Sequence, residues 1–320
     1  MRASDSSTRA NVRASRARAR TRFATDANDA MRRARGRGAR DAAAIASTHR
    51  AMMTTVCDAS RARGKANGPS VGRRAQLVAL VATTTATRGR AEEAGGTTIA
   101  EALRAAKPGD RIALEPGVEL DERVVVDVDG VTIETAREGP KATVRHVTRA
   151  PYESAIEIRA RGVTIRNLAV VHGSKSVANN YGIFSREGTS ATFESCEVTS
   201  TTGSGFGIEG AAVELIDCVA SGCASHGVVG LGDSSGAPGS GTVALERCAF
   251  ERNGANGALI RGGAAVHMSS CSLSGNGRYG VELIDCEGEV TGNRLEKNGK
   301  GPVSATRGAE DFVILENNST

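Results

Sequence analysis

The stretch Val213-Glu214-Leu215-Ile216-Asp217-Cys218 recurs along the chain as Val243-Ala244-Leu245-Glu246-Arg247-Cys248 and Val266-His267-Met268-Ser269-Ser270-Cys271. Earlier copies are Ala191-Thr192-Phe193-Glu194-Ser195-Cys196 and Val163-Thr164-Ile165-Arg166-Asn167-Leu168. The sixth positions fall at 168, 196, 218, 248 and 271, with Asn293 next in line, at spacings of 28, 22, 30, 23 and 22. A period near 22 in which insertions fall only in Gly/Ser-rich turns is the mark of stacked coils. Each copy opens with alternating apolar positions, as Val213 and Leu215 or Val266 and Met268. A second short strand follows the Cys (Val198, Ala220, Phe250, Leu273, Leu295). A third follows a Gly (Gly182-Ile183, Gly207-Ile208, Gly227-Val228, Gly257-Ala258, Gly280-Val281). Three short strands per coil predict a triangular parallel solenoid, and the Asn253-Gly254, Asn276-Gly277 and Asn298-Gly299 pairs are expected to supply the left-handed backbone of its corners.

Working back towards the start, short strands are expected at Arg111–Leu114, Val118–Leu120, Arg123–Val128, Val131–Thr135, Ala142–His146 and Ala155–Ile158. Before them, Thr98 and Glu101 form a capping-box pattern, and Ile99, Ala102, Leu103 and Ala106 make one apolar face ended by Pro108-Gly109. A short helix there would cover the open end of the first coil. At the far end, strand-like Phe312–Leu315 runs into Asn317-Asn318-Ser319-Thr320 without a capping helix, an end open to self-association.

The stretch from Thr98 to Gly117, with Val124-Val125-Val126 and Val131-Thr132-Ile133 after it, resembles the entry to pectin-lyase-like right-handed parallel β-helices. More narrowly it resembles the repeats of the carbohydrate-binding and sugar hydrolase type, over residues 97–320. The resemblance implies an all-β, single-stranded right-handed parallel β-helix with a short N-terminal capping helix. That superfamily holds lyases, hydrolases, epimerases and non-enzymatic scaffolds, so the resemblance implies fold and not activity.

Charge divides the chain in two. Residues 1–91 carry 20 Lys/Arg against 5 Asp/Glu, and residues 92–320 carry 21 against 31, so the overall formal charge of +5 describes neither part. The first stretch is Arg/Ala-rich, Ser-containing and acid-poor, with no apolar periodicity over three helical turns. That composition predicts a disordered segment of organellar, plastid-favoured targeting type. Arg73-Arg74, the apolar run from Leu77 to Ala82 and Gly89-Arg90-Ala91 resemble a thylakoid-lumen transfer signal. The alternative is a basic tail in the cytoplasm, touching nucleic acid only electrostatically. No run reaches the ~18–20 apolar residues of a membrane span.

The seven Cys follow the repeat rather than any zinc spacing, which makes Cys196, Cys218, Cys248 and Cys271 an inward structural ladder of small apolar units. His146, His172 and His267 show no ligand spacing, no phosphate-cradling loop or nucleophile elbow is present, and neither a metal nor a cofactor is expected.

Catalysis on a polysaccharide would need carboxylates converging on one outer face. The outward residues after the turn Gly are expected to be Phe184, Glu209, Val229, Leu259, Glu282 and Ser304. Glu209 and Glu282 then lie three coils, ~14 Å, apart, whereas a glycosidase pair stands ~5–9.5 Å apart. Glu194 and Glu246, on another face, come at two coils, ~10 Å. A Ca²⁺-dependent lyase would want clustered Asp, and none appears.

The column before the turn Gly reads Tyr181, Phe206, His226, Asn256, Tyr279. It is either a stacking ladder that shields a corner or a flat strip that stacks on sugar rings or holds a peptide. The Gly/Ser-rich insertion Gly230–Gly241, with Asp233, is expected to overhang that strip. His226, Asp233, Tyr279, Tyr181 and Phe206 are therefore the candidate ligand-binding residues. The expected function is a non-enzymatic repeat scaffold for a polysaccharide or protein ligand, with a divergent polysaccharide lyase or hydrolase as the alternative.

Overall fold

The computed structural model of the chain describes residues 77–79, 98–136, 139–175 and 180–320. The expected targeting or basic segment lies outside the described residues, save for Leu77–Ala79 (β1), which pairs in parallel with Arg111–Leu114 (β2). Among the described residues, no helix is long and apolar enough to cross a membrane.

The described residues from Arg111 onward wind into a parallel solenoid of three sheets, with ten strands (β1 among them), seven and eight. One coil shows the rule. Ser190–Glu194 (β11) lies in the first sheet, Glu197–Ser200 (β12) in the second and Ser204–Glu209 (β13) in the third. The next coil, starting at Ala212–Ile216 (β14), repeats it in register: Ala191 stands beside Val213, and Phe193 beside Leu215. Through most of the solenoid the inward positions are buried and stack on their counterparts one coil away, among them the fully buried Phe193, Phe206 and Phe250.

The N-terminal end is closed as the capping pattern predicts. Ile99–Ala105 (α1) has Thr98 as N-cap with a complete capping box through Glu101, and it buries Ile99, Ala102 and Leu103. The Glu122 carboxylate accepts the free N–H groups of Ile99 and Ala100 at 2.9 and 3.1 Å, tying the helix to the first coil. At the other end, the expected strand from Phe312 is shifted. Ala309–Phe312 forms one helical turn (α2), and the strand runs over Val313–Glu316 (β25) beside Glu287–Thr291 (β23).

The repeat's sixth position is the corner between the first and second sheets. The residue before it takes a left-handed backbone (Ser195, Asp217, Arg247, Ser270; φ 52° to 56°), and the sixth side chain turns inward. Cys196, Cys218, Cys248 and Cys271 therefore form a buried column of free thiols, continued by Asn293 and Asn318, whose side-chain carbonyls accept the N–H of Cys271 at 2.8 Å and of Asn293 at 2.9 Å.

The second corner corrects the expectation for the Asn-Gly pairs. The left-handed residue there is the one before the Asn: Arg252, Gly275 and Lys297. The Asn itself points inward and joins neighbouring coils, with Asn253 N–H donating to Asn276 Oδ1 and Asn276 N–H to Asn298 Oδ1. The Gly that follows is needed for close approach rather than for handedness, since a Cβ at Gly254 would lie 2.3 Å from the Ala224 carbonyl oxygen.

Candidate functional site

Register decides what stands together on the outer face of the third sheet. Tyr181 pairs with Ser204, and Ile183 with Phe206. The column before the turn Gly is thus Tyr181, Ser204, His226, Asn256 and Tyr279, and Phe206 sits two residues further on, pointing inward. It is 1% exposed and packs edge-on against Phe193 at 5.7 Å. The misreading arises because Gly205 and Gly207 both flank Phe206, and Gly205 is the one aligned with the other turn glycines. The same shift moves Glu209 out of the Phe184–Glu282 column. Glu209 stands beside Leu231, which stands beside Arg261.

The part of this face that concentrates chemistry is built on Val124–Val126 (β4), Ile156–Ile158 (β7), Tyr181–Ser185 (β10) and β13. Glu157, outward in β7, is 1% exposed and bound by three arginines. Arg123 Nη2 donates to its Oε2 at 2.6 Å, Arg159 donates from Nε and Nη2 at 2.9 and 3.1 Å, and Arg186 Nε pairs with Oε1. Burial pushes the Glu157 carboxyl up, but the hydrogen bonds and charges of Arg159 and Arg186 outweigh it and hold the acid below its ordinary range. Three guanidinium groups on one carboxylate leave a net local charge of +2. The Nε of Arg123 is buried and without a hydrogen-bond partner among the described residues.

An aromatic wall adjoins this charge. The Tyr181 ring stacks on Phe184 (5.3 Å, 23°), and the Arg186 guanidinium lies 5.6 Å from the Phe184 centroid. The Tyr181 hydroxyl donates to Glu209 at 3.2 Å, and burial, then the Glu209 charge, push its pKa far up, so the phenol stays protonated. Tyr152, 63% exposed with φ 59°, lines with them a hollow of about 280 Å³. A second hollow of about 390 Å³, between Arg159, Arg186 and Thr189, continues it.

Two coils on, His226 accepts the Asn256 N–H on Nδ1 at 3.2 Å, which puts the ring proton on Nε2. Burial lowers its pKa to about 4, more than the Glu282 charge restores, so it presents a neutral N–H donor. Glu282 is itself held by Asn256 Nδ2 at 2.6 Å and by Arg278 at 3.2 Å, and Arg278 lies over the Tyr279 ring at 6.0 Å. Tyr181, His226 and Tyr279 thus share one face.

Asp233 does not join them. Residues 232–241 leave Val228–Leu231 (β16) at the end away from His226, seven residues and up to ~23 Å along the strand. The loop folds over the corner between the third and first sheets instead of overhanging the Tyr181–Tyr279 column. The Asp233 carboxylate accepts its own loop's Ser235 N–H at 2.9 Å, and Ser234 donates to Glu187 from N–H and hydroxyl at 3.3 and 3.2 Å.

The arginine–Glu157 node was missed by sequence reasoning. Its signal is the charge inside the strand Ile156-Glu157-Ile158 and the Arg159–Arg186 interval of 27 residues, close to the neighbouring 28-residue repeat interval. Among the described residues, no cluster of three or more His, Cys, Asp and Glu is placed to hold a metal ion.

A solenoid with its polar side chains ranked along one sheet face defines a class, and residues 154–319 match the family described as right handed beta helix region. The chain belongs to that family. It is similar in fold to the pectin methylesterase of Aspergillus niger in its deglycosylated form, at 14% identity and TM-score 0.52 over 71% of this chain and 83% of that one. It is also similar to pectate lyase Pel9A, at 18% identity and TM-score 0.43 over 68% and 72%. No curated protein sequence matches it.

Proposed function

We propose that the protein is a non-catalytic β-helix that binds an acidic polysaccharide along the outer face of its third sheet. The observation that carries this reading is the Glu157 node: three guanidinium groups against one carboxylate, beside a stacked Tyr181–Phe184 pair. Guanidinium forks suit carboxylates, and an aromatic face suits the C–H side of a sugar ring. Coils repeat at ~4.8 Å, so Arg159 and Arg186 and, three coils further, Arg261 can meet successive charges of an extended chain. The acids on this face are engaged rather than poised: Glu157 by arginines, Glu209 by Tyr181, Glu282 by Asn256 and Arg278. That favours binding over acid–base chemistry.

The test is a glycan array with the full-length protein, repeated at rising salt, together with a reducing-end release assay. Binding to uronate polymers that weakens with salt, without release of new ends, is expected. Binding indifferent to charge, or steady release of ends, would overturn the reading.

The lyase or hydrolase alternative has one observation in its favour. Glu214, on the outer face of the first sheet, has its pKa raised by burial and then by the Glu246 and Glu194 charges, as a proton donor would need. Abolition of a measured end-release activity by Glu214→Gln would establish it.

We also propose that residues 1–91 are an organellar targeting segment; N-terminal sequencing of the protein from its host would read a start near Glu92, and an intact Met1 would refute it.

A further inference from the structure

A further cleft stands apart from the groove at Glu157. It measures about 610 Å³ and lies between the 232–236 loop and the ends of the third-sheet strands. That volume falls within the ~300–1,000 Å³ of small-molecule sites. Its floor follows from register. Leu231, Arg261, Ile284 and Thr306 occupy one column on successive coils. Beside them, Asp285 and Arg307 stand on adjacent coils, since Asp285 N–H donates to the Thr306 carbonyl at 3.1 Å. Apolar and polar side chains thus alternate along the column at the coil spacing of ~4.8 Å.

Two features distinguish this cleft from the groove. The formal charges of its Asp233, Asp285, Arg261 and Arg307 cancel, where the Glu157 node is left at +2. Three of the four charged groups are also uncommitted. Asp233 is turned into its own loop by Ser235, and neither Arg261, Arg307 nor Asp285 has an ion-pair partner within 4.0 Å among the described residues. Neighbouring Asp285 and Arg307 therefore keep an acceptor pair and a donor fork at adjacent positions, the complement of a vicinal diol. Leu231 and Ile284 offer the apolar surface on which the C–H face of a pyranose can rest. The loop wall is fixed at both ends, by Ser234 on Glu187 and by Ser240 N–H donating to the Gly263 carbonyl at 3.2 Å.

We infer that the cleft beneath the 232–241 loop is a second binding site, for an uncharged, hydroxyl-rich sugar of one or two rings. Resting on the reading of the groove as a site for an acidic chain, this sugar is a neutral branch of that chain. The cleft and the groove lie on neighbouring coils of the third sheet, since Leu231 stands one coil from Glu209.

The test uses the full-length protein and two probes, hexagalacturonate for the groove and a set of neutral disaccharides of galactose, xylose and rhamnose for the cleft. Binding is measured by calorimetry and by saturation-transfer NMR. Asp285→Asn, which suits the left-handed backbone there, and Arg307→Ala should weaken the best neutral disaccharide at least tenfold and leave hexagalacturonate unchanged. Arg186→Ala should do the reverse, with thermal melts confirming that all three variants fold. An acidic oligomer carrying the neutral branch should bind more tightly than either probe. The inference is overturned if no neutral disaccharide binds the wild type, or if Asp285→Asn and Arg307→Ala leave such binding intact. Loss of hexagalacturonate binding alone would overturn the groove reading and leave the cleft standing.

Discussion

The Tyr181 ring lies against the Cα of Gly207, one coil further along, so closely that a Cβ at 207 would sit 2.2 Å from the Tyr181 Cγ. The glycine therefore does not serve a turn; it is the seat of the aromatic wall. Gly207→Ala should push the ring off Phe184 into the groove. We expect a loss of about 1–3 kcal/mol in stability, the usual cost of overpacking, and a weakening of saccharide binding of roughly tenfold, about 1.4 kcal/mol. Urea melts and calorimetry check both. Unaltered binding would mean that the stacked pair does not contact ligand.

Glu157→Gln removes the carboxylate that pairs with Arg123, Arg159 and Arg186. The arginines are 31%, 46% and 53% exposed, so solvent screens much of the freed charge. The cost in stability should be roughly 1–3 kcal/mol, below that of breaking a fully buried pair. The local charge rises from +2 to +3, so an acidic oligomer should bind more tightly in low salt and with a steeper salt dependence. Affinity titrations at several salt concentrations read this out. Weaker binding would place Glu157 among the groups that contact ligand.

The sheet order and the three-strand coil were legible in the sequence because the Val213–Cys218 repeat combines a period of two within strands with a period near 22 between them. The Cys column was legible for the same reason. Corner chemistry was less so: Asn253 precedes a glycine, which favours a left-handed reading, but Arg252 takes that conformation because the Asn side chain is more valuable inward, bridging coils. The candidate site was only partly legible. Gly205 and Gly207 gave two equivalent registers for Phe206, and an error of two residues moves a side chain along the strand into another column, here from rim to core. The Glu157 node joins residues 123, 157, 159 and 186 from three coils, and its geometry depends on corner lengths that vary from coil to coil.

Two histidines set the acid side of stability. His172 is wholly buried, held between Ser200 Oγ at 2.8 Å and the Glu153 carbonyl at 2.6 Å, and burial lowers its pKa. His226 is lowered to about 4. Below the ordinary value of ~6.5, the unfolded chain takes up protons that the native histidines refuse, so stability is full above that pH and falls as pH drops. For His226 alone the loss by its native pKa amounts to roughly 3 kcal/mol. Glu157, held low, adds its loss only below ~4.5. Denaturant midpoints at pH 7, 5.5 and 4.5 should decline in order, and His226→Asn should flatten part of that decline. A flat profile down to pH 4.5 would refute the assignment.

Glu214 should behave oppositely. Its pKa is raised by burial and by the Glu246 and Glu194 charges, so the unfolded chain gives up this proton first as pH rises and the native state is penalised at neutral pH. Glu214→Gln should raise the melting temperature at pH 7 by about 2 °C, and the gain should vanish below ~pH 4, where the carboxyl is protonated in both states. A variant less stable at pH 7 would show that the charge is compensated by a contact.

The inward ladders separate packing from hydrogen bonding. Asn276 accepts the Asn253 N–H at 3.0 Å and donates to the Phe250 carbonyl at 3.0 Å, so Asn276→Ala removes a hydrogen bond from each of two buried backbone groups and should cost about 2–4 kcal/mol. Cys218 occupies the equivalent position at the other corner, where its thiol is only a weak donor to the Phe193 carbonyl at 3.3 Å. Cys218→Ala removes one buried sulfur and should cost closer to ~1 kcal/mol. Burial pushes the neighbouring Cys223 up to about 11 and Cys286 to about 12, so these thiols should also resist alkylation until the chain unfolds. Parallel melts of the two variants, with thiol labelling followed by mass spectrometry across the transition, test both points. Equal costs for Asn276→Ala and Cys218→Ala would mean that the asparagine ladder acts by volume alone, and labelling below the transition would mean that the coils open locally.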